Sequence, residues 1–114
     1  SAGAAIASGH RVTVVYVGGE DCSWCRLWQN NERPKWLASP VAHHVRYVEI
    51  EPAHLREAYQ KRHWPEGLWD VLEQVPRKSG TPRFLVVVDG EIVANALGAN
   101  NWPKAYAAAR EALT

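Results

Sequence analysis

The sequence predicts one α/β domain, a central mixed sheet flanked by helices in the order β-α-β-α-β-β-α. Three observations predict it. The β-branched run Val12-Thr-Val-Val-Tyr-Val17 stops at Gly18-Gly19 and gives way to tryptophans at helical spacing. A second run, Phe84-Leu-Val-Val-Val88, closes on Asp89-Gly90, the composition of a two-residue hairpin turn. Apolar stripes with helical period follow the first, second and last predicted strands.

Taken in order, residues 1–10 are small and aperiodic and predict a mobile leader, with the domain over 11–114. Val12 to Val17 reads as a buried strand. A helix is expected from Cys22 to Ala38, with Trp24 and Trp28 one turn apart and Pro34 kinking it or splitting off its last turn. From His44 to Glu51, Val48 and Ile50 alternate with Glu49 and Glu51, a strand that Pro52 stops. Leu55, Ala58 and Tyr59 have helical spacing within 53–63. Leu68, Trp69, Leu72 and Val75 resume it until Pro76, so an extended helical segment precedes the third strand. Arg83 to Val88 and Glu91 to Leu97 should pair antiparallel. Asn101 is the expected N-cap of a closing helix, with Pro103 in its first turn and Trp102, Tyr106, Ala109 and Leu113 on one face.

The chain has 114 residues and a net charge of +1, with Lys and Arg scattered. That balance argues against nucleic acid or an anionic membrane as the main partner. No stretch approaches the roughly twenty apolar residues that cross a bilayer. There is no methionine, even at position 1, which predicts a fragment, a processed product or a tagged chain. The opening Ser-Ala-Gly-Ala-Ala-Ile-Ala-Ser-Gly is like the residue around a signal-peptide cleavage site. An exported, periplasmic protein is therefore expected, with the cytoplasm as the alternative.

Two cysteines, Cys22 and Cys25, are too few for a disulfide framework, so their pairing points to redox or regulatory use. They fall where a strand should end and a helix begin, where outward-pointing N–H groups favour a thiolate. Gly80-Thr81-Pro82 introduces the third strand. A thiol–disulfide site is the leading reading. An inert disulfide, or zinc or copper binding with His43 and His44 as further donors, stands beside it, since two thiolates supply half a tetrahedral site. Trp24 is either a substrate-facing platform or packing over the helix start. Trp28, Trp36, Trp69 and Trp102 read as core, Trp64 as the candidate exposed interaction aromatic, and Glu49 and Glu51 as strand-end surface charges.

With Cys22-Ser-Trp-Cys25 at the first strand–helix junction, Thr81-Pro82 opening the third strand, the Asp89-Gly90 hairpin and Gly98, the chain resembles the thioredoxin-like superfamily over about residues 11–114. A weaker likeness is to periplasmic thioredoxin-like proteins of the sulfur-oxidation and cytochrome-maturation kind. The resemblance implies that Cys22 is the exposed attacking cysteine and Cys25 the resolving one. It implies a cis Pro82 facing the disulfide, a Thr81 backbone that pairs with the substrate chain, and Gly98 flanking the same groove. The implied activity is thiol–disulfide exchange on protein substrates, with an electron donor that the sequence does not name, no cofactor, no metal and a monomeric state. The alternative is a non-catalytic module of the same fold that holds a partner or a metal in that groove. A peroxidatic or glutathione-dependent enzyme is disfavoured, because nothing supplies a dedicated peroxide site.

The chain also departs from the family. Thioredoxins carry Trp-Cys-Gly-Pro-Cys, whereas here Asp21 precedes the motif and Ser23-Trp24 fills it. The family's buried acid falls on Tyr16 and its partner lysine near Tyr47, which leaves Cys25 without the usual proton acceptor. Glu20 and Asp21 are the substitutes considered. Their charge opposes ionisation of Cys22 and predicts a reducing protein. The long segment from Glu66 to Lys78 is expected to form a lid or a substrate surface.

Overall fold

The computed structural model describes residues 10–114. The predicted leader lies outside the described residues except for His10, which pairs with Asp89 at 2.9 Å. The elements are β1 (Val12–Val17), α1 (Ser23–Asn31), α2 (Arg33–Ala38), β2 (Arg46–Ile50), α3 (Trp69–Gln74), β3 (Arg83–Val88), β4 (Glu91–Leu97) and α4 (Trp102–Ala112), joined by loops and short 3₁₀ turns. The strands form one sheet in the order β2-β1-β3-β4. β1 runs parallel to β2 and antiparallel to β3, and β4 returns antiparallel to β3. This is the mixed sheet the sequence predicts.

Side chains alternate across a strand, so β1 feeds two cores. Val12, Val14 and Tyr16 face a cluster with Phe84, Val86, Trp28, Trp36, Trp102 and Ala109, under α1, α2 and α4. Val15 and Val17 face the other side, with Leu85, Val87, Ile50, Trp64, Leu68, Val71, Leu72 and Val75. Aromatic rings hold the first core. Tyr16 stacks on Trp28 with centroids 5.0 Å apart, and Trp28 meets Phe84 at 4.9 Å and Trp102 at 5.2 Å. Truncating such a ring to alanine costs about 3–5 kcal/mol. Asp89 and Gly90 turn the hairpin with φ of 49° and 87°, the positive pair that a tight twist-matched turn requires.

Pro34 splits the first helix, one of the two outcomes expected of it: α1 ends at Asn31, and α2 starts afresh at Arg33 with Pro34 in its first turn, where a missing N–H costs nothing. Four expectations need correction. The 53–63 helix is replaced by single 3₁₀ turns, because His54 and Gln60 are extended and Leu55, 37 % exposed, gives no stripe to bury. The segment from Glu66 to Lys78 is no lid: Leu68, Val71, Leu72 and Val75 pack as a layer on the sheet. Trp64 is 3 % exposed and its indole donates to Ala58 O at 2.8 Å, so it is core and not an interaction surface. At the closing helix, the Asn101 side chain makes no cap bond and instead donates to Leu97 O at 2.6 Å.

Candidate functional site

The loop from Gly18 to Asp21 is pinned against the end of β2: Gly18 N donates to Ile50 O at 2.8 Å and Glu20 N to Pro52 O at 2.9 Å. It lies so close to its neighbours that both glycines are required for space. A Cβ on Gly18 would overlap the Tyr16 hydroxyl and stand 2.6 Å from its Cζ and 3.1 Å from Cys25 Sγ. One on Gly19 would stand 2.6 Å from Leu55 Cα. The loop thereby delivers Cys22, in extended conformation, to the N-cap of α1.

Cys22 and Cys25 are joined in a disulfide, with Cα atoms 5.2 Å apart. Cys22 Sγ accepts the Cys25 amide at 3.1 Å, so the sulfur does the work of an N-cap oxygen. From the far side the Thr81 hydroxyl donates to the same sulfur at 3.2 Å. Both donors would stabilise negative charge on Cys22 once the pair is reduced. They also cover it. Cys22 keeps only 4 % of its surface and Cys25 none, so Cys22 is less exposed than expected, although it remains the more accessible of the two.

The Thr81–Pro82 peptide is cis, Pro82 is buried, and its carbonyl accepts the Gly98 amide at 2.8 Å. Gly98 has φ of 96°, in the region that favours glycine. Trp24, Thr81 and Gly98 come together with Ala99, Asn100 and Asn101 around a cleft of about 230 Å³. Trp24 is 60 % exposed there, so it stands over the cleft rather than in the core. A neighbouring cleft of about 290 Å³, lined by Leu27, Asn31, Ala99 and Trp102 among others, shares Ala99 and Asn100 with it. The sequence pattern gives Ala99 and Asn100 no part in this cleft and marks Asn101 only as a helix cap.

A polar cluster gathers on the hydroxyl of Tyr16, which with Cys25 Sγ flanks Gly18. Tyr16 Oη donates to Glu51 Oε1 at 2.8 Å and accepts from Gln29 Nε2 at 3.0 Å. Gln29 also donates to Glu51 at 2.7 Å, and Arg26 Nη2 pairs with the same carboxylate. Burial, reinforced by the Glu51 hydrogen bond and charge, pushes the Tyr16 phenol well above its usual range. Glu51 is therefore no idle strand-end charge. Glu49, its neighbour on the same face, is held by Arg33 at 2.6 and 3.0 Å and by the Tyr47 hydroxyl at 2.6 Å.

The two acids expected to serve Cys25 do other things. Asp21 Oδ1 accepts the Leu55 amide at 2.7 Å and its second oxygen is 3.6 Å from His54, and Glu20 is exposed. Among the described residues no group of three or more His, Cys, Asp or Glu side chains could hold a metal ion.

No protein-family model matches the chain, and no curated protein matches it. Solved structures do. The periplasmic thioredoxin SoxS of Paracoccus pantotrophus, in reduced form, is similar at 12 % identity with a TM-score of 0.57, over 91 % of this chain and 95 % of that one. A chain from work on the thiol-resolving mechanism of yeast mitochondrial 1-Cys peroxiredoxin is similar at 16 % identity and a TM-score of 0.56, over 89 % of this chain and 78 % of that one. A DsbH oxidoreductase is similar at 18 % identity and a TM-score of 0.50, over 96 % of this chain and 78 % of that one. The strand order, the element order and these likenesses give the chain a thioredoxin-like fold.

Proposed function

We propose that this protein is a thiol–disulfide oxidoreductase that reduces disulfides in protein substrates through Cys22 and Cys25. The observation that carries the reading is the Cys22 sulfur at the N-cap of α1, bonded to Cys25 and facing Thr81 across 3.2 Å. Catalysis starts from the dithiol. The Cys22 thiolate attacks a substrate disulfide, one substrate sulfur leaves as a thiolate, and a mixed disulfide remains. Cys25 then attacks Cys22 Sγ, the second substrate sulfur leaves, and two electrons have passed to the substrate. A protein dithiol donor returns the pair to the reduced form. The substrate chain lies in the cleft between Trp24, Thr81 and Gly98.

Electron flow toward the substrate is supported by charge. Glu20 and Asp21 precede the motif, and Arg26, which follows it, is engaged by Glu51 rather than by sulfur. Negative charge on these two residues, next to Cys22 in the chain, favours the disulfide over the dithiol, the condition for a reductant. It opposes the Cys25 amide and the Thr81 hydroxyl, which favour the thiolate. The fold likeness to a periplasmic thioredoxin supports an exported location.

The test is a redox titration of the pair against glutathione, joined to trapping with a Cys25→Ser variant. A potential below that of glutathione and a stable protein adduct through Cys22 are expected. A potential near that of strong oxidants would reverse the direction. No adduct at any poise would favour a non-catalytic module that uses the same cleft.

A further inference from the structure

We infer that Tyr16 and Glu51 form the route by which Cys25 loses its proton: the thiol hydrogen passes to the Tyr16 hydroxyl as Tyr16 passes its own to Glu51. The inference rests on the thiol–disulfide reading above and supplies the acceptor that the sequence did not reveal.

Cys25 is fully buried, and burial disfavours its thiolate. The α1 amide at its own position points to Cys22, so the helix end does not serve it. What adjoins it is a hydroxyl. Tyr16 Oη fills the space where a side chain on Gly18 would begin, and Cys25 Sγ stands 3.1 Å from that same position, so Gly18 lets the hydroxyl approach the sulfur. A phenol oxygen has one hydrogen to give and two lone pairs to receive with. Tyr16 gives its hydrogen to Glu51 and fills one lone pair with Gln29. The second lone pair is left for the Cys25 S–H.

The remaining groups give the route a direction. Glu51 is ion-paired with Arg26 and oriented by Gln29, and its side chain is 23 % exposed, so a proton received there can leave to water. Glu51 and Arg26 are the charged groups acting on Tyr16, with the Tyr47 phenol as a further neighbour on β2. Trp28 from α1 and Phe84 from β3 enclose it with apolar rings. Asp21 is turned to Leu55 and His54. Tyr16 thus conducts a proton and does not store one.

The resolving step balances. The Cys25 S–H breaks, its proton goes to Tyr16 Oη, and the Tyr16 proton goes to Glu51. The Cys25 electron pair forms the bond to Cys22 Sγ. The bond from Cys22 to the substrate sulfur breaks, and that sulfur leaves as a thiolate and is protonated by water.

The test is stopped-flow reaction of the reduced protein with 5,5′-dithiobis(2-nitrobenzoate). The first thionitrobenzoate released reports Cys22 attack, and the second reports resolution by Cys25. Tyr16→Phe keeps the stacked ring, and Glu51→Gln changes a partly exposed group, so the second variant carries the test even if the first fails to fold. Both should keep the first phase within about twofold and slow the second at least about tenfold near pH 7, converging on wild type above about pH 9. The double variant should be no slower than the slower single one, and Glu51→Asp should recover part of the rate. A second phase at wild-type speed in folded variants, or slowed equally at every pH, would overturn the inference alone. A wild-type protein without a first phase would overturn the thiol–disulfide reading and the inference with it.

Discussion

Thr81 donates its hydroxyl to the Cys22 sulfur across 3.2 Å, although the two residues stand 59 positions apart in the chain. In the reduced protein that bond would be charge-assisted. Losing such a bond is worth about 1.5–3 kcal/mol, and each 1.36 kcal/mol is one pKa unit. Thr81→Ala should therefore raise the Cys22 pKa by about one to two units and slow its alkylation at pH 7 several-fold or more. Thr81→Ser should stay near wild type. The pH–rate profile of iodoacetamide alkylation reads both, and identical profiles for Thr81→Ala and wild type would refute the assignment.

Gly18 is required for space. Gly18→Ala should destabilise the protein by about 1–3 kcal/mol, the usual cost of overpacking. Because the clash includes the Tyr16 hydroxyl, Tyr16→Phe should recover part of that loss when the two are combined, while Cζ at 2.6 Å keeps the recovery incomplete. Urea unfolding of the four proteins in this cycle measures the coupling, and strict additivity would contradict the geometry.

Arg83 is 5 % exposed and anchors the loop that presents Thr81. Its guanidinium donates to Tyr59 Oη at 2.7 Å, Asn95 Oδ1 at 2.6 Å, Ser79 O at 2.9 Å and Arg77 O at 3.2 Å. Arg83→Met should leave these acceptors unpaired and cost about 3 kcal/mol. Hydrogen exchange at Ser79, Gly80 and Thr81 should speed up more than in β1. Uniform acceleration would indicate global destabilisation only.

Glu49 gives a pH signature. Burial alone would raise its pKa, but hydrogen bonds from Arg33 and Tyr47, with the Arg33 charge, outweigh burial together and hold it below the usual 4.5. Its stabilising contribution is then complete above about pH 4.5 and is lost as the pH falls through the lowered value. Glu49→Gln should melt lower than wild type at pH 7, and the gap should close toward pH 3. Asp89, held low by the Arg11 amide and His10, titrates in both proteins and cancels in the comparison. A gap that stays constant with pH would show that the depression is absent.

The sheet was legible because its signals are local. β-branched runs at Val12 and Phe84 and a turn dipeptide at Asp89 need no distant partner to be read. So was the meeting of Trp24, Thr81 and Gly98, through motif spacing and family resemblance. The 53–63 segment misled because three apolar residues at helical spacing do not make a helix without a surface to bury them. Trp64 misled because Pro65 beside it suggested a surface turn, whereas Ala58 O supplies its indole with a buried acceptor. Glu51 was hidden for another reason. Its role depends on register: β2 runs parallel to β1 with Tyr16 opposite Glu49, so Glu51, two residues on, falls on the face of Tyr16 just past the strand end. Periodicity identifies the face of each strand, but not how far one strand slides along the other.

The stacking of Tyr16 on Trp28 sets a limit on how this protein can change. The Tyr16 ring belongs to the aromatic core that keeps the fold, and its hydroxyl belongs to the polar cluster with Gln29 and Glu51. Any change to the packing around Trp28 or Phe84 that moves the ring moves that hydroxyl with it. Ring packing and the proposed proton route thus meet in a single side chain.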